Sequence, residues 1–349
     1  MSHVILSDSV NFTTPLVTVR MITYNHGPYV AQAIDSALMQ ETNFPWELLI
    51  VDDCSTDNTR DICKDYARRH PDRIRLELNE RNLGVMPNSM KATAMCRGKY
   101  VAWLEGDDFW LTVDKLQRQV EVMQANPDIY LSFHAHKEVD ANGVDRPPRD
   151  TRVPATGILP RGAYFRRQCE PFQTASFVFK RDLTNNLPEW FSTLPFGDVS
   201  IFVLASMRGP LYSLPGSHSC YRLHERGVGG NCWTEQDWLA KTRKTIFWND
   251  AFARLFELLV DETDDMEIAN QCRAYALDYL QDVIWSCRLL GDRNGMRLAI
   301  SKSLRLAPWS AAKKWRMWKD ALIAFSPLPD LSRHRHLTKA CHNKTQVEA

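Results

Sequence analysis

The sequence predicts an α/β protein: a mostly parallel sheet flanked by helices, followed by a helical C-terminal region. Three observations carry that reading. Through the first 140 residues, β-rich apolar runs alternate with helical stretches of ten or more residues, which implies parallel strands covered on both faces. Acidic pairs, Asp52-Asp53 and Asp107-Asp108, stand directly after two of those runs, where sheets of this kind bind ligands. Beyond Thr234 the strand signals stop and the chain reads as wholly helical.

The elements follow in order. Leu16 to Thr23 (LVTVRMIT) is a strand, closed by the loop Tyr24-Asn25-His26-Gly27-Pro28. A helix begins near Pro28, since proline is tolerated in a first turn, and runs through Ala31, Ile34, Ala37 and Leu38. Glu47 to Val51 is the second strand, and Asp57 caps a helix containing Ile62, Cys63 and Tyr66. Ile74 to Leu78 is the third strand, Asn88 to Cys96 a helix ended by Gly98, and Tyr100 to Leu104 the fourth strand. A helix with Leu116, Val120 and Met123 follows, then a fifth strand at Ile129 to Phe133. Residues 142 to 162, rich in Pro, Gly and Arg, read as a loop. Ser176 to Phe179 is a strand, Asp198 opens an apolar helix, and Leu211 to Leu214 and Cys220 to Leu223 are short strands.

Composition narrows the function. Of 349 residues, 44% are apolar and 24% charged, which excludes disorder. The nine cysteines contain no CxxC pair, so reduced thiols in a cytosolic protein fit better than a zinc ribbon or disulfide scaffold. No signal peptide and no bilayer-spanning run of about 18 apolar residues is expected. Phosphate-loop and GxGxxG motifs are missing. The net charge of +1 argues against a nucleic-acid binder. It hides a split, because from Ser301 on there are ten basic and three acidic residues, a tail of +7 against a body of −6.

The acidic pairs suggest chemistry. Adjacent carboxylates at a strand end repel, so at least one needs protonation, a basic partner or a cation. Mg²⁺ or Mn²⁺ takes such ligands and shares its coordination with phosphate oxygens. The plainer alternatives are a solvated turn for Asp107-Asp108 and a capping pair for Asp52-Asp53. Trp103 reads as core, and Trp110, just after the acidic loop, as a pocket wall. His26, His134 and His136 show no spacing that demands a metal.

The segments VTVRMITYNHGPYVAQAIDSAL, LLIVDDCSTDNT, NLGVMPNS, GKYVAWLEGDDFW and FGDVSIFVLASMRGPLYSLPGSHSCYRLHERGVGG come in one order over about residues 15 to 230. Together they resemble the family-2 inverting glycosyltransferases, with EGDDFW and KLQRQVEVM similar to the subgroup of bacterial surface-polysaccharide clusters. The resemblance implies a GT-A-type, Rossmann-like fold. It divides the chain into an N-terminal arm (1–14), a nucleotide-sugar-binding half (15–140), an acceptor-binding half (141–232) and a helical C-terminal region (233–349).

It also implies roles. Thr23, Tyr24 and Asn25 would line the nucleotide pocket and Asp53 would contact the base. Asn82, Gly84 and Asn88 would lie under the ribose and diphosphate. Asp107 would face the ribose, with Trp110 among the donor-binding residues, and Asp108 would hold the metal. Arg222 and His224 would meet the diphosphate and metal. Glu105 stands where many relatives have Asp. Asp198 matches the catalytic base, and its place at a helix N-terminus suits an anion; an ordinary N-cap is the alternative.

The expected activity is metal-dependent, inverting transfer of a sugar from a nucleotide diphosphate donor to a hydroxyl of a cell-surface glycan precursor. A sugar nucleotidyltransferase and a catalytically silent nucleotide-sugar-binding module are the alternatives. In the tail, Trp309 to Phe325 sets Trp315, Trp318, Leu322 and Phe325 at helical spacing among Lys313, Lys314, Arg316 and Lys319. Such a helix either packs its Trp face on the body or lies on an anionic membrane, which would place the protein in the cytoplasm at the inner face of the cell membrane.

Overall fold

The structure is a computed structural model. It describes residues 14–147, 156–169, 173–225, 227, 237–306 and 324, together with the backbone of a short strand at 4–5. The chain divides into two compact units, Met1–Gly227 and Val228–Ala349.

The first unit is built on β1 (Val4–Ile5), β2 (Val17–Thr23), β3 (Trp46–Asp52), β4 (Ile74–Leu78), β5 (Tyr100–Trp103), β6 (Phe109–Trp110), β7 (Leu131–Asp140), β8 (Asp145–Arg146), β9 (Gly157–Leu159), β10 (Val178–Lys180) and β11 (Leu211–Leu223). They form one sheet, ordered β1-β4-β3-β2-β5-β10-β7-β11-β6 with β8 and β9 at its margin. Strands β4, β3, β2 and β5 are parallel. Helices α1 (Val30–Leu38), α2 (Thr59–Arg69), α3 (Val85–Ala94), α4 (Lys115–Ala125) and α5 (Asp198–Arg208) belong to the same unit. Every residue of β3 is buried, as a continuous apolar run in a sheet covered on both faces requires.

One topological fact positions everything that follows. The strands after β2 are added on one side, β3 then β4, and β5 is added on the other. The order reverses at β2/β5, and it is beyond the carboxyl ends of strands at such a reversal that sheets of this kind bind ligands. The loops after β2 and β5 therefore face each other there.

The expected elements appear, with shifts. The helix foreseen at 88–96 spans 85–94, starting after Gly84, whose φ of 87° is open to glycine at no steric cost. The two short strands at 211–214 and 220–223 are one strand, β11, broken in register between Leu214 and Ser219. It runs parallel to β7, which extends to Asp140 rather than ending at Phe133. Pairing with β7 on one side and β6 on the other holds the irregular middle of β11 in the sheet.

Trp110 is corrected from pocket wall to core. It is 1% exposed and belongs to the main apolar cluster with Val19, Ile34, Leu116 and Val120. A large aromatic beside a buried strand is drawn inward when its indole N–H finds a partner, and here Nε1 donates to the Ala175 carbonyl at 2.8 Å. That bond fixes the short 3-10 turn Thr174–Ser176, which Gln119 also holds through the Ser176 carbonyl.

In the second unit, α6 (Trp238–Val260), α7 (Met266–Leu290) and α8 (Arg293–Leu306) follow in succession. Asp237 and Asp265 cap α6 and α7 by accepting backbone N–H bonds. Phe256 stacks on Tyr275 at 4.8 Å between them. No described helix is long and apolar enough to cross a membrane, and every described cysteine is free. The basic Trp-bearing stretch 309–325 lies outside the described residues, Ala324 excepted.

Trp110→Phe keeps the ring but leaves the Ala175 carbonyl without its donor. Urea denaturation should show a loss of about 1–3 kcal/mol.

Candidate active site

The site begins with a buried charge. Arg20 lies in mid-β2, 1% exposed. It donates to Glu105 at 3.1 Å and Ser89 at 3.2 Å and stacks on the Trp103 ring at 4.1 Å. The start of the acidic loop is thereby tied to the central strand and to α3. Burial pushes the Glu105 carboxyl up; Arg20 opposes this, the charges of Asp107 and Asp198 add to it, and the result is about 7.

The loop then crosses over the end of β2. Gly106 is required there, because a Cβ would lie 2.7 Å from Thr23 Oγ1 and 3.0 Å from His26 Nδ1. This close approach delivers Asp107 to two histidines. Asp107 Oδ2 lies 3.0 Å from His224 Nε2 and 3.6 Å from His26 Nε2. Burial alone would raise the Asp107 carboxyl; the two imidazoles outweigh burial and hold it at about 2. His224, just past β11, rests against the Tyr29 ring at 4.8 Å. His26, Asp107 and His224 each offer a ligand atom, all within 4.8 Å of one another, a set able to hold a metal ion.

Two expectations change here. The carboxylate that meets His224 is Asp107, not Asp108. Asp108 is 2% exposed and its Oδ1 accepts the Arg222 backbone N–H at 2.9 Å, so it joins the acidic loop to β11. Burial and the neighbouring Asp107 push its carboxyl well up. Arg222 is likewise spent on structure rather than aimed at a ligand. Its guanidinium is 4% exposed and donates to Asp107 O at 3.0 Å, Gln32 Oε1 at 2.6 Å and the carbonyls of Asp140 and Ala141, over the rings of Tyr29 and Phe109.

The other acidic pair also builds the frame. Asp52 accepts two bonds from Ser55 and faces Arg60 at 3.4 Å. Asp53, 3% exposed, accepts from Asn79 Nδ2, Leu83 N and Gly84 N at 2.8–2.9 Å, holding the 79–84 turn. Asn88 is buried in the same network, accepting from Asn79 at 2.8 Å. Asn82 is exposed on that turn and accepts from Gly84 N. The turn edge carried by Asn82 and Gly84 is therefore the accessible part, and Asp53 and Asn88 support it from beneath.

Beside the metal-capable set, Thr23 is buried with its hydroxyl unpartnered, and Tyr24 is exposed on the rim. Asn25 has a φ of 55°, and its side-chain Oδ1 accepts from Thr56 N at 2.8 Å. Through that oxygen it locks the 54–57 loop in place. Asp57 completes that clamp, accepting from Gly27 N at 3.0 Å and Thr59 N at 2.9 Å.

Asp198 is half-buried at the first turn of α5. Gly197 beside it approaches Trp103 and Met86, which sets this helix start at the carboxyl ends of the parallel strands. Asp198 Oδ2 accepts the Thr174 hydroxyl at 3.0 Å and Oδ1 the Val199 N–H at 2.8 Å. One lone pair on each oxygen stays free to accept a proton.

Sequence reasoning gave His26 no metal role and passed over Arg20 and Thr174. Arg20 could have been found, because an arginine inside an otherwise apolar strand needs a buried partner. His26 carried no spacing signal, since the crossing of two loops created its neighbourhood.

With the geometry in view, comparison with known proteins places the chain. The description Glycosyl transferase family 2 matches residues 18–181. An uncharacterized glycosyltransferase of Nostoc sp. is 30% identical over 78% of this chain and 85% of its own length. The teichuronic acid biosynthesis protein TuaG of Bacillus subtilis is 42% identical over 31% of this chain and 42% of its own length. A mannosyltransferase from Pyrobaculum calidifontis, solved with GDP-Man and Mn²⁺, superposes with a TM-score of 0.57 at 20% identity, covering 89% of this chain and 86% of that one. The chain spans 64% of the length of the mycobacterial relatives it matches at 31% identity. The chain belongs to glycosyltransferase family 2, and its fold is the GT-A fold.

Burial alone would raise the Asp57 carboxyl, but the donors from Thr59 and Gly27 bring it below its ordinary 3.8. Its contribution to stability is therefore full above that value and lost as pH falls through the lower folded one. Asp57→Asn should lower stability at pH 7 by about 1–3 kcal/mol. Denaturation curves recorded from pH 7 down to about 2.5 should show the gap to the parent closing below the usual carboxylate range.

Proposed function

We propose that this protein transfers a sugar, with inversion, from a nucleoside diphosphate donor to a hydroxyl of a cell-surface glycan precursor. The observation that carries the reading is the set of side chains gathered where the strand order reverses. Asp107 and His224 stand on one side, and Asp198, with free lone pairs, stands at the start of α5. Family membership supports the reaction class, and the named role of the Bacillus relative supports a surface-glycan acceptor.

In this reading the donor lies over the crossing of the β2 and β5 loops, with Tyr24 at its rim and the Asn82–Gly84 turn edge beneath it. Asp53 and Asn88 hold that edge, and Arg222 and Asp108 hold the acidic loop. A divalent cation held by Asp107 and His224 would stabilise, as a Lewis acid, the negative charge of the leaving diphosphate. The residues fit such an ion: a carboxylate sits against an imidazole at ligand spacing, and a buried ring nitrogen of His26 beside them has no partner. Asp198 accepts the proton of the acceptor hydroxyl as its oxygen bonds to the anomeric carbon. The bond from that carbon to the diphosphate oxygen breaks on the opposite face, so the configuration inverts. Thr174 and the Val199 N–H fix the carboxylate for this step.

We further assign the 309–325 stretch to contact with the anionic cytoplasmic face of the membrane, where lipid-linked acceptors lie. Ten basic against three acidic residues beyond Ser301 support the attraction. Co-sedimentation with anionic liposomes should fall when the chain is ended near Leu306. Equal sedimentation of both forms would refute the contact.

Asp198→Asn tests the base. It should bind the nucleotide sugar with unchanged affinity by calorimetry while transfer falls by about 10²–10⁴-fold. Transfer at the parent rate would remove Asp198 from the mechanism. A parent protein that binds donor yet never transfers or releases the sugar would be a binding module.

A further inference from the structure

We propose that His26 is a third protein ligand of the cation site, and that two imidazoles with one carboxylate make this site prefer a first-row transition cation to Mg²⁺. The inference rests on the reading of Asp107 and His224 as a cation site.

The first argument is distance. Ligand atoms bonded at about 2.1 Å to one ion lie about 3.0–3.4 Å apart in octahedral or tetrahedral arrangements. Asp107 Oδ2 lies 3.0 Å from His224 Nε2 and 3.6 Å from His26 Nε2, so both separations are near that spacing.

The second is the state of the His26 ring. It packs edge-on to His224 at 6.0 Å between centroids. Its Nδ1 is buried with no hydrogen-bond partner, and its Nε2 meets only Asp107, beyond hydrogen-bond range. An imidazole whose Nε2 faces a carboxylate without a hydrogen bond has unused donor capacity there, which a metal bond at Nε2 would take up.

The third is the donor set. The two adjacent carboxylates would have offered a hard, all-oxygen site suited to Mg²⁺. The structure withdraws Asp108 to the Arg222 N–H and supplies imidazoles instead. Imidazole suits Co²⁺ and Zn²⁺ better than Mg²⁺, which dehydrates reluctantly and prefers oxygen. His26 comes from the loop after β2, Asp107 from the loop after β5 and His224 from the end of β11. The ion would thus join three segments that meet only in the folded chain.

The test uses the full-length protein, stripped of metal and free of nucleotide. Calorimetric titration with Mn²⁺, Co²⁺ and Mg²⁺ should show Co²⁺ binding at least about tenfold more tightly than Mg²⁺. His26→Gln should weaken Mn²⁺ and Co²⁺ at least about tenfold, since even outer partners of ligands are worth that much, and leave Mg²⁺ within about twofold. Pulsed EPR of the Mn²⁺ form should show nitrogen coupling from two imidazoles in the parent and one in the variant. His26→Asn, a smaller change in the same loop, should behave alike. Parent-like Mn²⁺ affinity with two coupled nitrogens in both variants would overturn the inference. In that case Asp107→Asn, which should abolish binding of all three ions, would still uphold the cation site. Undiminished binding in Asp107→Asn would overturn the site and the inference together.

Discussion

The buried guanidinium of Arg20 is the constraint on which the site depends. A charge placed inside the central strand cannot be left alone, because an unpaired buried ion costs several kcal/mol. Glu105, Ser89 and the Trp103 face meet that demand, and they come from two segments, α3 and the end of β5 with its loop. In meeting it they fix the start of the acidic loop against β2 and α3. Only a loop anchored there can cross over Thr23 and bring Asp107 to the histidines.

The acidic residues of the first unit divide by what their oxygens already hold. Asp52, Asp53, Asp57 and Asp108 accept backbone or side-chain N–H and O–H bonds that close neighbouring loops. Asp107 is held by imidazoles alone among side chains, and Asp198 keeps lone pairs free. Electrostatics follows the same division. Burial drives Asp52 and Asp108 up, whereas the histidines keep Asp107 ionised down to about 2. Adjacent carboxylates with opposite shifts are a recurrent arrangement where one must stay charged.

Trp110 links the core to Asp198 at one remove. Its indole holds the Ala175 carbonyl, and the turn so fixed carries Thr174 to Asp198. A residue read as pocket wall thus acts through packing. The sequence placed it correctly after the acidic loop, but direction along a two-residue strand depends on pairing with β11.

What the chain determines locally, it shows in its sequence: parallel strands as apolar runs, helices between them, and polar loops at their ends. These rest on periodicity and on side-chain preferences within a few residues, so the fold class and the region of the site were legible. Which of Asp107 and Asp108 meets His224, that Arg222 turns inward, and that His26 joins His224 were not. Each depends on segments as far apart as β2 and β11, brought together where the strand order reverses. Side chains two residues apart in sequence point alike or oppositely according to the partner that takes their hydrogen bonds, and only the tertiary structure names that partner.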